Sequence, residues 1–550
     1  MAAMIGDPVD WPTRDLVAHR AATTPQRTAL IDVETDANWT FREFDRRVDR
    51  AAVGLRSVLD RDGDEGGDGT ERLGVLMDTR PAFATLFFAA MRTGTTVVPL
   101  NVRETAGELA GKVDRTGLGA IVCERATEEA ALAITSETDD GGTDVDVYSV
   151  DDPEVDRIRS LIPPRGSTDV DADRDRESRS VDPVPLDRDD EQLLMFTSGT
   201  SGRPKAVRLT VGNLVASATA SAFRLGVTPD DRWLCCLPMY HMGGLAPVFR
   251  SALYGTPVVI QREFDADATT RVLADYDVTG VSLVPTMCKR LLDAGWEPTD
   301  ALRFVLLGGA PATDELLARC RDRGVPVHPT YGMTETASQI ATATPGETAT
   351  HEGTVGQPLL FTDVTVVGED DNPVDPGEQG ELVVSGPTVT PGYLDRDATE
   401  AAFGERGLYT GDVGYRDDDG RLWVLNRRSD RIVTGGENVD PGEVRAILRS
   451  HPRVADAAVV GLADTEWGER VAALVERDSP AGSGSDGDGG HESLNLDSLL
   501  AHCDARLAGF KRPKTIGVAD SLPRTASGTI DREAVRERLR QAGTDATEVT

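Results

Sequence analysis

The sequence predicts an α/β protein: a large N-terminal domain with mostly parallel sheets, followed by a small α+β C-terminal domain. Three observations carry this. Short aliphatic runs recur with glycine breaks at their ends. Helix-capping patterns follow the breaks. Beyond about residue 426 the units become smaller. Residues 73–77, 96–100 and 120–123 read as buried strands, because each is apolar and too short for a helix. Residues 193–196, Leu-Leu-Met-Phe, read the same way. The run 302–307 breaks at Gly308-Gly309-Ala310-Pro311. Thr313 then caps a helix over 314–323, with Asp314 and Glu315 in its first turn, and 325–328 follows as a strand. Strand, glycine loop, helix, strand is the unit of a parallel α/β sheet, whose ligands bind at the carboxyl ends of the strands. In the C-terminal part, 441–450 and 496–507 read as helices, and 455–461 and 471–476 as strands. The domains expected are 1–426 and 431–550, joined by a hinge at 427–430. Segments 60–71, 151–191 and 479–492 are rich in charge, Gly or Ser and read as solvated insertions.

Composition narrows the class of function. With 550 residues the chain can bury a large core. It carries 93 acidic and 58 basic residues, a net charge of -35. Five of the basic residues are lysines: Lys112, Lys205, Lys289, Lys511 and Lys514. An acidic, lysine-poor surface holds water against salt, so an extreme halophile is the expected source. The charge argues against nucleic acid and anionic membrane partners, which need basic patches. The six cysteines form no C-x-x-C pair, and no His cluster has zinc spacing, which fits a reduced, cytoplasmic setting. No basic segment followed by an apolar core opens the sequence, so no signal peptide is expected. Residues 82–100 are the nearest approach to a membrane span, and Arg92 interrupts them.

The chemistry begins at Thr197-Ser198-Gly199-Thr200-Ser201-Gly202-Arg203-Pro204-Lys205. Such a loop offers N–H groups, hydroxyls and one ammonium to phosphate oxygens. It is not a Walker A loop, because Arg203-Pro204 separate the last glycine from the lysine. It resembles the phosphate loop of the adenylate-forming, AMP-binding family, which includes acyl-CoA synthetases, and the resemblance runs from about residue 39 to 532. It implies an adenylate-forming N-terminal domain, a mobile C-terminal lid, and ATP, Mg²⁺ and coenzyme A acting on a small carboxylic acid.

The remaining sites follow from that resemblance. Tyr331-Gly332-Met333-Thr334-Glu335 matches the family's second motif. The tyrosine would stack on adenine, with Gly332 beside it. Thr334 would donate to the α-phosphate, and Glu335 would bind Mg²⁺. Gly309 and Ala310 belong to the adenine-binding turn. Asp412 of Tyr409-Thr410-Gly411-Asp412 would hold the ribose, assisted by Arg427. Gly435, Gly436 and Glu437 would line the path of CoA. Within the family the chain resembles the branch acting on o-succinylbenzoate, through residues 237–245, 249–255, 284–287, 305–311 and 331–339. That substrate has two carboxylates. Arg250 is the expected partner of the second, with His241, Ser338 and Gln339 lining the acid site. Alternatives are a ligase for another aryl or medium-chain acid, or a catalytically weakened nucleotide or acyl-CoA binding protein. The last arises from a departure: the family's final motif ends in Gly-Lys, and here Thr529 follows Gly528. Lys514, then Lys511 or Arg524, are the expected replacement cations. Ser429 departs likewise from a pivot residue that is often charged.

Overall fold

The structure is a computed structural model. It describes residues 14–59, 71–137, 145–162, 181–197, 204–427, 432–434, 437–439, 441–464, 467–477, 495–504, 506–507, 509–525 and 529–546. The chain forms two compact units. One takes in the chain up to Thr365 together with Val383–Tyr409 and Asp417–Trp423. The other takes in Val366–Leu382, Thr410–Arg416 and the chain from Val424.

The first unit holds two mostly parallel sheets, as the sequence predicts. The seven-stranded sheet runs Arg159–Ser160, Asp146–Ser149, Ala120–Cys123, Arg72–Leu76, Thr96–Pro99, Glu191–Thr197, Lys205–Thr210. Only its last pair is antiparallel. The nine-stranded sheet has a parallel centre, Val327–Tyr331, Phe304–Leu307, Gly280–Leu283, Trp233–Cys235, Val258–Ile260, Thr28–Asp32. The strands are buried on both faces, which is why they read as unbroken apolar runs. Thr313 caps helix Asp314–Asp322 by accepting from Leu316 N.

Two sequence readings resolve differently. The apolar stretch 82–100 is a core helix, Pro81–Thr93, then a strand. Gly94, at φ +77°, ends the helix. Arg92 is buried there between Asp15, Asp45 and Asp49. Among the described residues no helix is long and apolar enough to cross a membrane. The segment 151–191 is not wholly a solvated insertion. Ile158, Leu161 and Val181 are buried, and Arg159–Ser160 adds a strand to the sheet. A few apolar anchors among many charges were enough to dock its ends. Residues 163–180, 60–70 and 478–494 lie outside the described residues.

The second unit is α+β. Val454–Asp464 pairs antiparallel with Gly468–Arg477, which pairs parallel with Thr515–Ala519. Side chains alternate as the period of two requires. Ala457 and Val459 pack with Val444, Leu448 and Leu499, from helices Pro441–Arg449 and Leu496–Asp504. Ala458 and Val460 pack with Val535 and Leu539 of helix Arg532–Ala542. The helix expected over 496–507 stops at Asp504. All six cysteines are free and buried.

Candidate active site

The polar loop joins two antiparallel strands, with Thr197 opposite Lys205. Ser198, Gly199, Thr200, Ser201 and Gly202 lie outside the described residues. After the loop comes a strand, Lys205–Thr210, and helix Val211–Leu225 starts only beyond it. A helix N-terminus therefore does not directly follow the loop, as it does in a Walker motif. Lys205 is the fixed charge at the end of the loop. Its Nζ stands 4.8 Å from the ring centre of Tyr393. The Tyr393 hydroxyl donates to Glu335 Oε1 at 2.9 Å. The structure thus gathers Lys205 and Glu335 around one buried tyrosine.

Glu335 is buried in the short helix Thr334–Thr336, and Thr390 N donates to its backbone oxygen at 2.7 Å. Among the described residues no cluster of three or more His, Cys, Asp or Glu could hold a metal alone. One buried carboxylate is nonetheless a fitting donor for Mg²⁺, which takes one or two protein carboxylates and fills its shell with phosphate oxygens and water. Tyr393 uses one of about four acceptor directions of that carboxylate.

The loop after Tyr331 is tightly folded. A Cβ at Gly332 would lie 1.7 Å from Ser338 O. Ala337 and Ser338 adopt φ of +51° and +119°. Such backbone costs about 1–3 kcal/mol per residue and persists only where neighbours impose it. Here Ser217 Oγ donates to Ala337 O at 2.8 Å, and Ile340 N to Tyr331 O at 2.8 Å. Tyr331 and Thr334 are half-buried. Gln339 is buried: its Nε2 donates to Thr342 Oγ1 at 2.7 Å, and its Oε1 has no partner. In the Gly308-Gly309-Ala310 turn, Gly309 is exposed at φ +78°, and Ala310 is half-buried. A Cβ at Gly308 would meet Thr330 Cγ2 at 2.7 Å.

His241 precedes helix Met242–Tyr254, its ring 4.9 Å from that of Tyr240. Packing by surrounding atoms lowers its pKa, and the charges of Lys112 and Arg103 lower it further, so the ring is neutral at pH 7. A Cβ at Gly244 would lie 2.3 Å from Pro238 O, so glycine lets the first turn sit on that backbone. Arg250, nine residues on, is about 13 Å along the helix axis. It is 2% exposed, and its Nη2 has no hydrogen-bond partner. Its guanidinium lies 5.4 Å from the Trp233 ring centre. Burial lowers its pKa, and only Tyr254 acts against that. No carboxylate among the described residues forms an ion pair with it. The structure places His241 at the start of the helix and Arg250 buried within it.

In the second unit Asp412 is buried on strand Gly407–Arg416. Its N–H donates to Thr410 Oγ1 at 3.1 Å, and Thr410 Oγ1 donates to Leu382 O at 2.8 Å. Arg427 ends strand Leu422–Arg427, and Glu437 opens strand Glu437–Val439; their side chains lie outside the described residues. So do Gly435, Gly436 and Ser429. Thr529 meets Thr525: Thr525 N donates to its carbonyl at 2.8 Å, and the two hydroxyls are 2.7 Å apart. The candidate replacement cations differ. Lys511 pairs with Glu443 at 2.7 Å, and Arg524 with Asp456 at 3.1 Å. Lys514 instead sits 3.8 Å from the ring centre of the partly exposed Trp467.

Sequence reasoning passed over three residues. Tyr393 had no role there. Lys112 and Arg115, on helix Ala106–Thr116, both face the ring of Phe196, at 4.9 and 5.2 Å. Arg115 also donates to Pro204 O at 2.9 Å, so one helix holds both stems of the polar loop. A lysine retained in a chain that otherwise uses arginine was the available signal.

Comparison with known proteins matches this geometry to a family. The AMP-binding enzyme family matches residues 17–394, and its C-terminal domain matches 443–529. A 2-succinylbenzoate–CoA ligase of Bacillus licheniformis is 35% identical over 534 residues, covering 96% of this chain and 99% of its own. That of Bacillus pumilus is 34% identical over 522 residues, covering 94% and 97%. The o-succinylbenzoate CoA synthetase of Bacillus subtilis has been solved with its acyl-adenylate intermediate. It superposes with a TM-score of 0.79 at 33% identity, covering 95% of this chain and 98% of its own. Its complex with ATP and magnesium gives 0.78 at 32%, covering 96% and 99%. A polar hairpin loop ending in lysine, a buried glutamate beside it and matches across both parts of the sequence come together in one conclusion: the chain belongs to the AMP-binding enzyme family.

Proposed function

We propose that the protein is an ATP- and magnesium-dependent acid–CoA ligase that converts o-succinylbenzoate to o-succinylbenzoyl-CoA in menaquinone biosynthesis. The observation that carries the substrate class is Arg250, a buried guanidinium that no carboxylate among the described residues pairs with. A second substrate carboxylate supplies the missing partner, bidentately. The full-length similarity to 2-succinylbenzoate–CoA ligases supports the same substrate.

In the first half-reaction one carboxylate attacks the α-phosphate of ATP, and the bond to pyrophosphate breaks. In the second the CoA thiol, losing its proton, attacks the acyl carbon and AMP leaves. Residues 197–202 and Lys205 bind the phosphates, and Thr334 donates to the α-phosphate. Tyr331, Gly332, Gly309 and Ala310 receive adenine. Asp412 and Arg427 hold the ribose. His241, Ser338 and Gln339 line the acid site, with His241 as a neutral ring that leaves the reacting carboxylate charged. Glu335 holds Mg²⁺, which when bound offsets the charge of the triphosphate. Gly435, Gly436 and Glu437 give CoA its path. The large domain is 1–426, and a lid, 431–550, rotates about 427–430 between half-reactions. The setting is a saline cytoplasm, where ATP and CoA are found.

Pyrophosphate release by the wild type in concentrated salt tests the reading. Release with o-succinylbenzoate, exceeding that with other aryl and medium-chain acids, is expected. A preference for another acid moves the protein to a different ligase, and no release with any acid makes it a binding protein.

The missing motif lysine gives a sharper prediction. Lys514 is proposed to replace it, since its charge faces an aromatic ring and is not spent on a carboxylate among the described residues. Lys514→Ala is expected to slow adenylation roughly a hundredfold, the size of a contact worth about 3 kcal/mol. Thioesterification from preformed acyl-adenylate should keep its rate, and Thr529→Lys should restore part of the loss. Normal adenylation by Lys514→Ala would remove Lys514 from the mechanism.

A further inference from the structure

Tyr393 touches both charged groups on which phosphate handling rests. Its hydroxyl donates to Glu335 Oε1 at 2.9 Å, and the Lys205 ammonium stands 4.8 Å from its ring centre. The residue is 6% exposed. Its backbone is laced to the strand that carries Lys205: Tyr393 bridges to Val207, and Leu394 N donates to Ala206 O at 2.8 Å. Tyr393 N donates to Thr399 Oγ1 at 2.8 Å. Gly392, at φ +141°, allows the close approach, because a Cβ there would lie 2.5 Å from Thr399 Cγ2. Three residues before Tyr393, Thr390 N donates to the backbone oxygen of Glu335 at 2.7 Å. The segment 390–394 therefore spans from the end of the polar loop to the buried carboxylate.

The chemistry of the two contacts suits a bound polyanion and its metal. The phenol hydroxyl donates and the carboxylate oxygen accepts, so the contact holds Glu335 without competing for its role as an acceptor. Donation to one carboxylate oxygen fixes a torsion that is otherwise broad, and it leaves the other oxygen for a cation. An aromatic face attracts an ammonium without neutralising it. A carboxylate in that place would pair with Lys205 and compete with phosphate.

We propose that Tyr393 is a positioning residue for magnesium–ATP: it fixes Lys205 and Glu335 relative to one another before the nucleotide arrives. The proposal rests on the reading of this site as an ATP site.

Calorimetric titration separates its parts, with ATP plus Mg²⁺ and with ATP in EDTA, on the full-length wild type and variants. Tyr393→Phe keeps the ring and removes the hydroxyl. Its affinity for magnesium–ATP is expected to fall about tenfold, the scale of one hydrogen bond to a charged group. Its affinity for ATP in EDTA and its melting temperature should stay those of the wild type. Because the hydroxyl acts through Glu335, the double variant Tyr393→Phe/Glu335→Gln should bind magnesium–ATP no worse than Glu335→Gln alone. Tyr393→Leu, which also removes the ring, should weaken ATP in EDTA as well. Any of three results overturns the proposal: unchanged magnesium–ATP binding by Tyr393→Phe, equal losses with and without the metal, or a Tyr393→Phe chain that does not fold. A wild type that binds no magnesium–ATP overturns the reading of the site itself, and the proposal falls with it.

Discussion

Replacing Arg250 by methionine should remove activity on o-succinylbenzoate while leaving the fold at least as stable as the wild type. The two effects have one cause. Arg250 is 2% exposed, and its Nη2 finds no hydrogen-bond partner. A buried cation without a counter-ion destabilises the free protein, so an apolar side chain of similar length is expected to be neutral or stabilising by about 1–4 kcal/mol. The substrate's second carboxylate would then enter a site with nothing to pair it. Breaking a buried charge pair costs about 3–5 kcal/mol, roughly a hundredfold to several-thousandfold in kcat/KM. A benzoate-type monocarboxylate never used the guanidinium, so its turnover should change far less. Melting temperature and kcat/KM on the two acids measure all of this. Equal losses on both acids, or a large fall in melting temperature, would make Arg250 a structural residue and reopen the substrate assignment.

Asp412→Ala is expected to raise KM for ATP roughly a hundredfold or more without unfolding the chain. A carboxylate that accepts from both ribose hydroxyls makes two charged hydrogen bonds, each contributing about 1.5–3 kcal/mol. Thr410 and Gly411 anchor the strand through Leu382 O and Glu381 Oε1 independently of the Asp412 side chain. KM for the acid should be little altered. An unchanged KM for ATP would rule out the ribose role.

Residue types suited to phosphate and ribose chemistry were legible. Lys205, Thr334, Glu335 and Asp412 announce themselves by type and neighbourhood. Core strands such as Ala120–Cys123 were legible because burial on both faces leaves an unbroken apolar run. What stayed hidden depends on who meets whom. The segment 151–191 looked solvated because charges outnumber its anchors, yet Ile158, Leu161 and Val181 dock its ends. Lys514 ranked ahead of Lys511 in the sequence with no contact to separate them, and side-chain contacts now distinguish them: one meets a ring, the other a carboxylate.

The sequence by itself determined the α/β class, the succession of strands and caps, and the residue types able to handle a phosphate. Those properties are local: side-chain chemistry, hydrophobic period and φ preference act over a few neighbours. Tertiary structure alone decided that Tyr393 stands between Lys205 and Glu335. Those two residues are 130 positions apart in the chain, and no local preference encodes their distance. It also decided that Arg250 is buried without a counter-ion among the described residues, because pairing depends on which side chains the other elements bring within reach.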